Sequence, residues 1–126
     1  MANQSVGWQK CIKGGCVGVC LATGGECWAH AAKPDLQAAL KQLGVDGCLD
    51  ARGVPITQKL LACLLAAAPQ DDQGHVVLTE ARFDQATFQG DADFLFATFQ
   101  NWALFNQATF QGRAPAFSHN VRFIRG

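Results

Sequence analysis

Tyrosine is absent from the 126 residues, methionine occurs once, and no phenylalanine appears before position 83. Cysteine stops just as abruptly, with all six at or before position 63. The two halves of the chain therefore cannot build their interiors from the same material. An excess of one charge is missing too. The formal net charge is zero, and residues 76–126 set Glu80, Asp84, Asp91 and Asp93 against Arg82, Arg113, Arg122 and Arg125. That balance removes the electrostatic basis for a nucleic-acid or anionic-membrane partner. The longest apolar run, Leu60 to Ala68, is nine residues, well short of the ~20 that a membrane-spanning helix needs. The opening Met-Ala-Asn-Gln-Ser has neither a charged nor an apolar signal region. The expectation is a cytoplasmic protein whose cysteines are reduced thiols or metal ligands, not disulfides.

What is present from Val76 onward is a repeat. Ala-Arg-Phe-Asp-Gln-Ala-Thr-Phe-Gln-Gly-Asp begins at Ala81, and two further blocks of 11 residues follow on the same template. Phe83, Phe88, Phe94, Phe99, Phe105 and Phe110 each have an alanine two residues earlier. Val76-Val77-Leu78, Phe117 and Val121-Arg122-Phe123 extend the pattern to nine units. In extended chain, residues two apart share a face, so each Ala-x-Phe pair points inward while Asp84, Gln85, Gln89 and Gly90 make turns. A fixed period of this kind constrains the fold before propensity does. The stretch resembles the pentapeptide-repeat proteins, whose motif is a small residue followed two positions later by Leu or Phe. The resemblance implies a mainly β fold with some helix: a right-handed quadrilateral β-helix of about two coils. Some members of that family mimic duplex DNA with a long acidic rod, which this short, charge-balanced stretch does not provide.

The N-terminal segment is rich in metal-ligating side chains. Cys11-x4-Cys16 and Cys27-x2-His30 form two pairs separated by ten residues, with a hairpin signal at Thr23-Gly24-Gly25 between them. A closed Cys₃His tetrahedron is a structural Zn²⁺ site. The segment sets Val17, Val19 and Leu21 against many glycines, so a metal would supply the folding energy. The expected ligands are Cys11, Cys16, Cys27 and His30, which close the longer loops. Cys20 is the alternative to Cys11, because on an extended segment it shares a face with Cys16. Some pentapeptide-repeat proteins resemble this chain in opening with a Cys-rich segment that ends in Cys-x2-His. Cys27 with His30 could also mimic a nucleophile and its base, but no orienting third group or oxyanion donor accompanies them.

Between these regions, Pro34 to Leu43 reads as a helix stopped by Gly44, Leu49 to Ile56 as a connector, and Thr57 to Ala68 as a second helix N-capped by Thr57. The implied organisation is a zinc-binding segment over 1–32, a helical region capping the solenoid over 33–75, and the repeat over 76–126. Leu95, Phe96 and Trp102 stand where the template expects polar residues, and form a candidate contact patch. No catalytic constellation is evident. The expected function is a non-enzymatic protein-interaction or scaffold module, its partner a protein or a second copy met through the solenoid end or the Phe96/Trp102 patch. A nucleic-acid-binding zinc knuckle is the alternative, with Lys10 and Lys13 its thin basic patch.

Overall fold

The computed structural model describes residues 8–22, 24–94, 97–112 and 116–117. Helix α1 spans Lys33–Asp46, with Pro34 and Asp35 in its first turn. A proline there removes only an amide that has no intrahelical partner, and an acid favours the positive end of the helix dipole. The helix does not stop at Gly44. It runs on to Gly47, which takes φ 69° and donates its N–H to the Leu43 carbonyl, a left-handed C-terminal cap. Gly44 has a packing reason instead, since a Cβ there would lie 2.9 Å from the Ala67 carbonyl oxygen of the next helix. That helix, α2, spans Gln58–Ala67, and the Thr57 hydroxyl accepts the Leu60 N–H at 3.0 Å. Leu61 and Leu64 are its buried residues.

Among the described residues eight strands complete the architecture: β1 Cys48–Asp50, β2 Pro55–Ile56, β3 Val76–Arg82, β4 Thr87–Phe88, β5 Asp93–Phe94, β6 Ala97–Leu104, β7 Thr109–Phe110 and β8 Ala116–Phe117. All strand pairs are parallel, in the orders β1-β3-β6, β2-β4-β7 and β5-β8. The segment expected to be a connector thus supplies two strands, which carry the pairing upstream of the recognisable repeat.

The expectation of a right-handed quadrilateral β-helix capped by two helices is corrected. Among the described residues there are two parallel sheets of three strands and one of two, none closed or curled into a solenoid. With α1 and α2 they make a small α/β fold. The reason is visible in the strand lengths. A four-sided coil must turn after every unit of five, whereas β3 runs unbroken for 7 residues and β6 for 8. Their pairing absorbs the unit boundary as a register shift between Leu78 and Glu80. A bulge accommodates an extra residue without ending the strand.

The period still governs the interior. Leu78, Phe83, Phe88, Phe94 and Phe99 are at most 1% exposed, and Ala81, Ala86, Ala92, Ala97 and Ala103 are buried beside them. Thr87-Phe88 pairs in register with Thr109-Phe110, and the two phenylalanine rings stack with centroids 4.8 Å apart and planes 1° from parallel. Phe83 stacks on Phe105 at 5.1 Å in the same way. Residues two blocks apart therefore meet, and alanine leaves the room that each neighbouring ring fills.

Candidate metal centre

The N-terminal segment is laid against the connection between β1 and β2. An isolated antiparallel bridge joins Lys10 to Val19, and the Cys11 N–H bonds the Gly18 carbonyl at 2.7 Å. The chain between folds back at Lys13, whose carbonyl accepts the Cys16 N–H at 3.1 Å. The antiparallel pairing therefore closes around Cys11 and Cys16, one loop earlier than the Gly-Gly signal. A second turn, Leu21 N–H to the Glu26 carbonyl at 2.8 Å, spans that signal and delivers Cys27. The amides of His30 and Ala31 both return to the Cys27 carbonyl, at 3.1 and 2.9 Å. This single helical turn places Cys27 and His30 on one side.

Three contacts fix the segment to the sheets. The Val19 N–H bonds the Arg52 carbonyl at 2.7 Å, and the Trp28 indole N–H bonds the Asp50 carbonyl at 2.8 Å. Gly53, at φ 70°, lies so close to the Val17 carbonyl that no Cβ would fit. Gly18 is equally constrained: a Cβ there would sit 3.0 Å from the Cys27 sulfur and 3.3 Å from the Val54 Cα. Gly18, Trp28 and Gly53 carry no ligand chemistry, so ligand spacing alone could not have found them.

The result is a cluster. One ligand atom from each of Cys11, Cys16, Cys27 and His30 lies within 4.8 Å of all the others. The His30 Nδ1 is 3.5 Å from both the Cys11 and the Cys27 sulfurs, and the Cys16 and Cys27 sulfurs are 3.8 Å apart. A tetrahedral ion with bonds of ~2.3 Å to sulfur and ~2.05 Å to nitrogen sets S···S at about 3.8 Å and S···N at about 3.6 Å. The four side chains are therefore close enough to hold a metal ion. Of the two candidate sets, the one with Cys11 is brought together; Cys20 stands outside the cluster, half-buried, its amide bonded to the Gln9 carbonyl at 2.9 Å.

The electrostatics of the four side chains are uneven. Burial, reinforced by the neighbouring Cys16 and Cys11 charges, pushes the Cys27 thiol up to about 12. Burial also acts to raise Cys11, but hydrogen bonds from the Lys13 and Cys27 backbone and from the His30 and Cys27 side chains outweigh it and hold that thiol at about 7. Three sulfurs this close cannot all ionise without a compensating cation, and a divalent ion held there would supply that charge. Cys16 and His30, both half-buried, also line an open cavity of about 320 Å³ together with Gly14, Gly15 and Thr87.

The other sequence candidates are not gathered into a site. Leu95 and Phe96 lie outside the described residues. Trp102 is half-buried, with the Arg82 guanidinium 4.9 Å above its ring. Cys48 and Cys63 are exposed, and His75 sits 3.9 Å from Asp71. Among the described residues no helix is long and apolar enough to cross a membrane. No protein-family model matches the chain, nor does any curated protein or solved structure.

Proposed function

We propose that Cys11, Cys16, Cys27 and His30 bind a structural Zn²⁺ ion and that the chain is a non-enzymatic protein-interaction or scaffold module. The observation that carries this is the pair of spacings, 3.5 Å from sulfur to nitrogen and 3.8 Å from sulfur to sulfur. Three thiolates and one imidazole suit zinc, and a closed set of four leaves no coordination position for a water nucleophile. Cys27 is 0% exposed, which disfavours a thiol enzyme reading, since a nucleophile must reach its substrate. The ion's role is then to hold the glycine-rich segment against the β1–β2 connection, giving a rigid surface for a protein partner. Exposed Ile12 and Val17 lie on that surface. Metal analysis combined with native mass measurement tests the reading. It predicts about one zinc per chain, and a purified chain that neither carries nor takes up zinc would contradict it.

A further inference from the structure

The three cysteines of the cluster are unequally exposed. Cys27 is 0% and Cys11 5% exposed, whereas Cys16 is half-buried and forms part of the wall of the 320 Å³ cavity. A small oxidant entering there meets the Cys16 sulfur first. The Cys27 sulfur lies 3.8 Å from it, so a disulfide of ~2.05 Å requires an approach of about 1.8 Å. The loop that carries Cys16 can supply it. Gly14 and Gly15 have open space where a side chain would stand, while Cys27 is on the turn anchored by Trp28 to Asp50.

We propose that the metal centre is also a peroxide-sensitive switch, in which Cys16 is oxidised, Cys27 resolves it, and the resulting disulfide releases the metal. The proposal rests on the metal-binding reading above. The Cys16 thiolate attacks one oxygen of a hydroperoxide, the O–O bond breaks, and hydroxide (or alkoxide) leaves with the electron pair. Cys16 becomes a sulfenic acid, oxidised by two electrons as the peroxide is reduced. The Cys27 thiolate then attacks the Cys16 sulfur, the S–S bond forms, the S–O bond breaks and hydroxide leaves; solvent protons neutralise both leaving groups. Only Cys11 and His30 remain as ligands, too few to retain the ion.

The test uses the full chain carrying Cys20→Ser, Cys48→Ser and Cys63→Ser, which removes the thiols outside the cluster and leaves the ligand set intact. The protein is loaded with Zn²⁺ and treated with hydrogen peroxide while a chromogenic chelator reports released zinc and peptide mass mapping identifies the cross-link. Expected is loss of the bound zinc in step with a Cys16–Cys27 disulfide, and its recovery on adding dithiothreitol and Zn²⁺. The same mapping on the parent chain gives an independent reading if the triple variant folds poorly. Retention of zinc by a loaded chain under peroxide overturns the switch alone, as does a cross-link that involves Cys11. Failure of the parent chain to take up Zn²⁺ overturns the metal reading and the switch with it.

Discussion

Residues 8–32 and residues 76–112 of one molecule offer different means of stabilisation. The second region buries Leu78 and four phenylalanines almost completely, each burial contributing roughly 1.5–3 kcal/mol. The first buries one aliphatic side chain, Val19, besides Trp28 and two cysteines. It has too little apolar surface to offset the cost of ordering a glycine-rich chain. Its four ligand side chains converge instead, and metal binding can stabilise such a segment by on the order of 10 kcal/mol. Burial tolerates many small losses; a metal centre fails when one ligand goes.

The sharpest way to break the comparison is therefore Cys27→Ser. It should abolish zinc binding and with it nearly all the metal-derived stabilisation of residues 8–32, while Cys20→Ser should retain zinc at the parent level. Metal content and thermal melting of the two variants check this, and equal zinc content in both would refute the ligand set. Within the sheets the matching change is Phe88→Ala. It should cost about 3–5 kcal/mol with zinc retained, against less than about 0.5 kcal/mol for the exposed Gln89→Ala, both measured by denaturant titration.

Gly44→Ala separates intrinsic propensity from packing. Alanine gains about 1 kcal/mol in a helix interior, but its Cβ would press on the Ala67 carbonyl at 2.9 Å, and overpacking costs about 1–3 kcal/mol. The expected outcome is net destabilisation; a stabilised variant would show that the helices move apart freely.

Zinc affinity should fall on acidification, because protons compete for the metal-free sulfurs. Cys27, pushed up to about 12, releases a proton on binding throughout the neutral range. Cys11, held at about 7, releases one only below that pH. The slope of log affinity against pH should thus become shallower as pH rises through 7. Competition titrations across that range read it, and an unchanged slope would contradict the Cys11 assignment. The smallest effect belongs to Gln85, held at φ 60°. Glycine there relieves about 1–2 kcal/mol of left-handed strain and returns most of it through the unfolded chain, leaving a gain of a few tenths of a kcal/mol in a thermal melt.

The candidate site was more legible in the sequence than the fold. Ligand chemistry is carried by residue identity, so Cys11, Cys16, Cys27 and His30 could be read directly. The longer-loop argument favours Cys11 over Cys20, but the fold-back at Lys13 that brings Cys11 to the others is not written in the spacing. In the repeat, alternation correctly placed Ala and Phe inside. It could not reveal that β3 and β6 would run past a unit boundary, since a bulge leaves the inward pattern intact. Leu49 to Ile56 reads as a connector because Gly53 and Pro55 interrupt any strand pattern. Parallel partners in β3 and β4 override that local preference. Gly44 misled for the opposite reason: a glycine needed for close approach looks, in sequence, like one that ends a helix.

Amide hydrogen exchange on the zinc-loaded and chelated protein tests most directly whether metal and burial divide the molecule in this way. The reporters are the amides of Cys11, Val19 and Leu21 in the first region and of Phe83, Thr87 and Gln89 in the second. Chelation should speed exchange in the first set by at least about a hundredfold, roughly 2.7 kcal/mol of lost protection, and leave the second within about twofold. Unchanged protection at Cys11, Val19 and Leu21 after complete zinc removal would contradict the account.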